Sequence, residues 1–149
     1  MIFLAIAMMI GMGSASIISR SLGAGDQKRA ISTMANAYLL NLIITVPLIV
    51  IVYIFKDKIL GLFGANETVF TYASDYLSIV LIGFFFFVLS FISSQIIRAE
   101  GMERAAIYPL VIGAVLNITL DWVFIFIMDM GVRGAALATT ISQSTMFLV

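Results

Sequence analysis

Residues 79–89 read Ile-Val-Leu-Ile-Gly-Phe-Phe-Phe-Phe-Val-Leu, a run without any charged side chain. Its apolar residues are consecutive, whereas a membrane β-strand alternates apolar and polar residues over about ten positions. The run lies inside a longer, predominantly apolar stretch, residues 72–97. A helix needs about 20 residues to cross a hydrocarbon core about 30 Å thick. The stretch therefore predicts a membrane-spanning α-helix rather than a barrel strand.

Four further apolar stretches flank this one, and charged residues or turn residues separate them. We therefore predict an all-α fold, a polytopic membrane helix bundle with about five transmembrane helices in a single domain. The predicted spans are residues 1–21, 31–55, 72–97, 107–128 and 134–149.

The composition of the chain agrees with a membrane protein and excludes several classes of function. Of its 149 residues, 62% are hydrophobic and 11% are charged, whereas soluble proteins are about 45–50% apolar and about 25% charged. The formal net charge is zero, so we expect no nucleic-acid partner. The chain has no Cys and no His, which removes the usual residues of zinc, haem and thiol chemistry.

The orientation of the spans is predicted by the lysines and arginines near their ends, because cytoplasmic loops carry an excess of them. The first and third loops hold five of these residues and the second and fourth hold three. This asymmetry predicts that loops 22–30 and 98–106 are cytoplasmic, and that loops 56–70 and 129–133 are external.

A short pattern recurs in the two loops predicted to be cytoplasmic. Arg20-x-x-Gly23 is followed by Arg29-Ala30, and Arg98-x-x-Gly101 is followed by Arg104-Ala105. The pattern predicts similar charged turns at two helix ends.

One acidic residue, Asp121, lies deep within a predicted span, four positions after Asn117. Residues four apart share a helix face, so the amide and the carboxyl group are neighbours. A charged Asp at this depth costs about 2.5–3.5 kcal/mol on insertion scales. The pair therefore indicates either a site for a proton or a cation such as Na⁺, or a helix–helix hydrogen bond worth about 0.6–2 kcal/mol.

Other polar side chains within the spans are candidates for cavity lining. Thr139, Ser142 and Gln143 share one face of the last span, where they either line a cavity or form hydrogen bonds across a tight helix contact. Tyr76 lies near the outer end of the third predicted span, which is typical either of an aromatic belt or of a cavity wall.

Four stretches, taken in order, resemble the multidrug and toxic compound extrusion (MATE) family of cation-coupled antiporters. They are residues 11–24 (GMGSASIISRSLGA), 97–101 (IRAEG), 117–121 (NITLD) and 131–139 (GVRGAALAT). The resemblance covers essentially the whole chain and corresponds to the second to sixth helices of the family.

The resemblance implies a twelve-helix transporter of two six-helix lobes, of which this chain would be most of the first. Both ends of the chain lie within predicted spans, so we expect a piece of a longer protein. The missing parts would include the first helix, with an acidic residue near the Asn–Asp pair, and the second lobe.

The resemblance also implies roles for individual residues. Asn117 and Asp121 match the cation-responsive pair of one branch of the family, and Na⁺ would bind there if it is the coupling ion. Thr139 and Tyr76 fall where that branch places cavity residues. Gln143 joins them because it shares the helix face of Thr139.

We therefore expect a fragment of a secondary active antiporter in the cell membrane that exchanges H⁺ or Na⁺ for organic, often cationic, drugs. Its expected partners are the lipid bilayer, small organic cations and the remainder of the transporter, and no cofactor beyond the coupling ion is expected.

Two alternatives stay open. A lipid-linked glycan or polysaccharide flippase of related architecture would have a more basic cavity, and in a non-transporting membrane subunit Asp121 would be only a buried hydrogen-bonding residue. A membrane enzyme is disfavoured, because the predicted spans contain no His, Cys or Lys. They also lack a second carboxylate that could form an aspartyl pair with Asp121.

The predicted topology can be tested by single-cysteine labelling, since this chain has no native cysteine and any cysteine elsewhere in the protein can be replaced first. We expect Gln27→Cys and Met102→Cys, in the protein expressed from its complete gene, to be protected from membrane-impermeant maleimide in intact cells. Asp57→Cys, in a loop predicted to be external, should react and serves as the control. Labelling of position 27 or 102 from outside would refute the assignment.

Overall fold

The computed structural model describes residues 2–64 and 67–149, and every regular element in them is helical, which confirms the predicted all-α fold. Met1 of the first predicted span and residues 65 and 66 of the loop 56–70 lie outside the described residues. The helices are α1 (Ile2–Gly23), α2 (Gln27–Ile54), α3 (Lys56–Leu62), α4 (Glu67–Ala99), α5 (Tyr108–Asp121) and α6 (Gly131–Leu148). A 3₁₀ turn (Ala105–Ile107) precedes α5, and a π-helical segment (Trp122–Ile127) follows it.

Four helical stretches among the described residues are long and apolar enough to cross a bilayer. They are Phe3–Gly23, Gln27–Ile54, Val69–Ala99 and Ala105–Ile127. The 18-residue helix α6 is not among them, because Gly, Ala, Ser and Thr make up much of its sequence. The crossing of α6, over predicted span 134–149, therefore stays a prediction.

Helices α1 and α4 end in the same way, with a glycine in the left-handed region of backbone space. Gly25 has φ +75° and Gly101 has φ +85°, a conformation that a side chain disfavours. The amide of Asp26 donates to the carbonyl of Ser21 (2.9 Å), and that of Met102 donates to Ile97 (3.1 Å). Both are the six-to-one bond of a Schellman motif.

These hydrogen bonds correct the alignment of the pattern that recurs in the two loops. The equivalent glycines are Gly25 and Gly101, whereas the sequence comparison pairs Gly23 with Gly101. The equivalence continues into the next element, since Ala30 and Ala106 each follow their glycine by five residues and each is 1% exposed. The recurring pattern is therefore a structural repeat of helix, turn and helix.

Helix α4 is the centre of the bundle, because it packs against α1, α2 and α6, whereas α5 packs mainly on α6. The main apolar cluster lies between α1, α2 and α4. It consists of Ala7, Ile10, Ile18, Ala30, Ala37, Val88, Ile92 and Ile96.

Polar contacts connect helices at the end of the bundle that is predicted to be external. Arg133, at the start of α6, donates through Nε (2.9 Å) and Nη2 (2.7 Å) to Oδ2 of Asp75 on α4. Lys56 at the start of α3 donates through Nζ to Oγ of Ser78 (2.8 Å). The N-terminal part of α4 is therefore linked to α6 and to α3 by side-chain hydrogen bonds.

Helices α4 and α6 are in close contact at Gly83. A Cβ atom at this position would lie 2.9 Å from Cα of Thr140 and would also meet Oε1 of Gln143. Nearby, Oγ1 of Thr140 donates to the carbonyl of Ile79 (3.0 Å). A residue without a side chain is therefore needed for this helix pair to form its contact.

We expect Gly83→Ala to lower the melting temperature of the detergent-solubilised protein, with an overpacking cost of about 1–3 kcal/mol. Gly13→Ala is the matched control, because a Cβ at Gly13 meets nothing within 4 Å and alanine is favoured over glycine inside a helix by about 1 kcal/mol. Thermal unfolding followed by the fluorescence of Trp122 measures both. A Gly83→Ala variant as stable as Gly13→Ala would contradict the close approach.

Candidate functional site

A groove between α5 and α6 brings together several polar residues that the sequence singles out. It has a volume of about 190 Å³ and contains Asn117 from α5 together with Thr139 and Gln143 from α6. The full lining is Phe87, Leu110, Gly113, Ala114, Asn117, Thr139, Ser142, Gln143 and Met146.

Three polar atoms in this region are buried without a hydrogen-bond partner among the described residues. They are Nδ2 of Asn117, Oδ1 of Asp121 and Oε1 of Gln143. A buried polar atom without a partner costs about 1–3 kcal/mol, so natural proteins retain few of them. Carboxylate and amide oxygens are ligands of hard cations. The two oxygens, on Asp121 and Gln143, can therefore accept a cation or a hydrogen bond, and the carboxyl group can also accept a proton. Nδ2 of Asn117 can only donate a hydrogen bond.

Asp121 stands one helical turn beyond Asn117 and is not itself among the groove-lining residues. It is partly buried and is the last residue of α5, immediately before the π-helical segment. In that segment the amide of Met128 donates to the carbonyl of Val123 (2.9 Å), five residues earlier. Short π segments occur frequently at functional sites, and this one places the carboxyl group at a change of helix register.

The hydroxyl groups of α6 are partly committed to its own backbone. Thr139 Oγ1 donates to the carbonyl of Ala135 (2.9 Å), and Ser142 Oγ donates to that of Ala138 (2.7 Å). Their hydrogens are used, and their oxygens remain available only as acceptors. The amide of Gln143 is thus the polar group of α6 with an unpartnered buried oxygen.

Tyr76 is separate from this groove. It lies on α4, is 38% exposed and is not among the residues that line the groove. Its role in cavity lining stays a prediction.

A second cavity meets the groove at Met146. It has a volume of about 160 Å³ and shares Phe87, Leu110 and Met146 with the groove. From there it follows Ser90, Ser94 and Gln95 along α4 to Arg98 at the end predicted to be cytoplasmic.

The position of Met146 depends on two neighbours. Its side chain fills the space where a Cβ of Gly113 would lie, since Sδ of Met146 would be 2.5 Å from that atom. Ser90 Oγ donates to the carbonyl of Met146 (3.1 Å). Met146 is therefore held at the junction of the two cavities.

Another buried polar group, outside the candidate site, lies on α2. Asn41 is fully buried, its Oδ1 accepts from Oγ1 of Thr45 (2.8 Å), and its Nδ2 has no partner among the described residues. Asn41 and Thr45 are four positions apart, so this contact can be predicted from the sequence.

A protein-family model described as MatE matches residues 1–123. The "Multidrug export protein MepA" of Staphylococcus aureus (strain NCTC 8325 / PS 47) is 30% identical over 142 residues, which are 95% of this chain and 32% of that protein. This chain thus spans about a third of the length of that relative.

Solved structures match the fold closely. An inward-facing conformation of a multidrug resistance MATE family transporter has a TM-score of 0.92 and 32% identity, over 98% of this chain and 33% of that one. An outward-facing conformation of such a transporter has a TM-score of 0.90 and 32% identity, over 98% of this chain and 32% of that one. The same helix arrangement therefore fits both conformations.

The contact between Gly113 and Met146 predicts a strong coupling between substitutions at the two positions. Gly113→Ala should destabilise the protein by about 1–3 kcal/mol through overpacking, and Met146→Ala should destabilise it by about 2–5 kcal/mol through a cavity. The double variant should lose less stability than the two single variants lose together, because the methyl group added at position 113 enters the space vacated at position 146. Thermal or denaturant unfolding in detergent measures this cycle, and strictly additive losses would contradict the contact.

Proposed function

This chain belongs to the MATE family, and from that membership we propose that it forms part of a secondary active efflux transporter. As a member of this transporter family with several apolar helices, it is an integral, multi-pass membrane protein, and we place it in the cell membrane. The activity that we propose belongs to the longer transporter, since the chain spans only about a third of its relative.

The proposed reaction is antiport, in which H⁺ or Na⁺ enters and an organic, often cationic, solute leaves. Asp121 is the group that binds the coupling ion, and Asn117 assists it. The observation that supports this role is the unpartnered, buried Oδ1 of Asp121, accompanied by the unpartnered Nδ2 of Asn117 and Oε1 of Gln143. A carboxylate oxygen that is buried within a span without a partner favours binding of a proton or a cation.

The two cations are coupled because they compete for one negative charge. A bound proton or Na⁺ neutralises Asp121, and an organic cation in the cavity then loses its attraction to that carboxylate. By linkage, the organic cation weakens binding of the coupling ion by the same factor. Thr139, Gln143 and Tyr76 are the residues that we assign to the wall of the cavity.

Transport also requires alternation between two openings, which in such transporters is largely a rocking of one half of the protein against the other. The lobe that contains this chain is expected to move as a unit. The close match of this chain to both an inward-facing and an outward-facing structure supports that expectation.

A lipid-linked glycan flippase is the second candidate. The observation in its favour is Arg98, a basic residue that lines the cavity adjoining the groove. Against it, the ionisable residue that lies deep within a predicted span is the acidic Asp121.

We expect Asp121→Asn to abolish cation-driven efflux in the protein expressed from its complete gene, because the amide keeps the shape of the side chain and loses its charge. Reconstituted vesicles should show dye flux at the level of empty vesicles under an imposed H⁺ or Na⁺ gradient. Asp57→Asn, at an exposed carboxylate of α3, is the matched control and should transport normally.

Imposing the two gradients separately identifies the coupling ion in the unaltered protein. Normal efflux by Asp121→Asn at normal expression would show that Asp121 is a structural residue. Absence of cation-driven dye efflux from the unaltered protein would instead favour the flippase alternative.

A further inference from the structure

The turn between α1 and α2 borders an open cavity that is rich in positive charge. The cavity has a volume of about 200 Å³ and contains two arginines, Arg20 and Arg29. Neither Arg20 nor Arg29 forms an ion pair with any side chain that the structure describes. The remaining lining consists of Ile17, Ser21, Ala24 and Asp26.

Most donor atoms of these two guanidinium groups are free. Arg20 uses Nε to donate to the carbonyl of Ser16 (3.1 Å), and the guanidinium of Arg29 has no hydrogen bond in the described part of the chain. The one carboxylate of the cavity, Asp26, accepts through Oδ1 from the backbone amide of Arg29 (3.0 Å). Two arginines face one acid that already caps a helix, so the cavity carries a net positive charge.

An apolar groove continues from this cavity between the same two helices. It has a volume of about 290 Å³, and Ile17 lines both the cavity and the groove. Along the groove a Cβ atom at Gly13 would meet nothing within 4 Å, which leaves an open channel between the helices. The full lining is Met9, Ile10, Gly13, Ser14, Ile17, Thr33, Asn36, Ala37 and Leu40.

The length of this groove agrees with the thickness of one leaflet of a bilayer. Arg20 and Met9 are both on α1, and at 1.5 Å per residue their separation along the helix is about 16 Å. Half of a hydrocarbon core about 30 Å thick is nearly the same distance. A molecule with an anionic head at Arg20 would therefore place its chain in the groove and end it near the bilayer centre.

We propose that the cavity and the groove together bind one anionic phospholipid. The phosphate lies between Arg20 and Arg29, whose planar, forked donors match phosphate oxygens, and one acyl chain lies along Gly13 between α1 and α2. The cytoplasmic leaflet is rich in anionic lipids, and the loop 22–30 is predicted to be on that side. A soluble phosphate would leave the groove unused, and a zwitterionic lipid would bring its own cation to an already positive cavity.

The test measures lipid retention on the protein expressed from its complete gene and purified in mild detergent. Native mass spectrometry compares phosphatidylglycerol with phosphatidylcholine of identical acyl chains. Arg20→Ala and Arg29→Ala should each lower the retention of phosphatidylglycerol about fivefold, as expected for one basic side chain at an anionic surface. Arg104→Ala is the control. It removes an arginine that lies at the same end of the bundle but outside the cavity, and it should leave the retention of phosphatidylglycerol unchanged.

A second variant tests the groove without altering any charge. Gly13→Leu fills the channel and should lower retention of phosphatidylglycerol, whereas millimolar inorganic phosphate should displace little of the lipid from the unaltered protein. If Gly13→Leu retained as much phosphatidylglycerol as the unaltered protein, or if inorganic phosphate displaced all of the lipid, the site would bind anions without an acyl chain. Either result would show that the proposal is wrong.

Two further results would also overturn the proposal. Retention unchanged in both arginine variants would show that the lipid binds elsewhere. A lower melting temperature of Gly13→Leu, independent of added lipid, would show that another segment of the protein occupies the groove.

Discussion

The lack of hydrogen-bonding solvent in the bilayer core is the constraint on which this structure depends. Backbone groups there must be satisfied within the segment, and the apolar stretches of the chain are accordingly continuous helices. The same constraint acts on the side chains: the hydroxyls of Ser14, Thr139 and Ser142 each donate to a carbonyl four residues earlier. Within the described part of the chain, three of the four buried side-chain atoms that lack a hydrogen-bond partner belong to Asn117, Asp121 and Gln143.

The helices and the Asn117–Asp121 pair could be predicted from sequence because both are local properties. Hydrophobic runs report the solvent around a segment, and a spacing of four places two side chains on one face whatever surrounds them. The π-helical segment after Asp121 could not be predicted, since Trp-Val-Phe-Ile-Phe-Ile is equally compatible with an α-helix. The equivalence of Gly25 and Gly101 likewise needed backbone hydrogen bonds, because residue letters alone align Gly23 instead.

The arrangement of the site across different helices was less accessible to sequence reasoning. Thr139 and Gln143 lie in one groove with Asn117, but only the structure shows that Met146 joins this groove to a second cavity. The relevant distances are set by helix contacts at Gly83 and Gly113, where the missing side chains admit a neighbour. A glycine inside an apolar run does not reveal which residue on which other helix will fill its space.

The π-helical segment that begins after Asp121 changes the direction in which the side chains of this helix point. Each residue of an α-helix advances about 100° around the helix axis. A π turn holds one extra residue, so the side chains beyond it are rotated by roughly that angle relative to an uninterrupted α-helix. Both parts of this helix contact α6: Gly113 of α5 lies against Met146, and Phe124 of the π-helical segment lies against Gly134. If the extra residue moved one position toward the start of the chain, the carboxyl group would swing to another side of the helix. The remaining turns would stay wound, so such a shift would reorient this single charge without unfolding the helix.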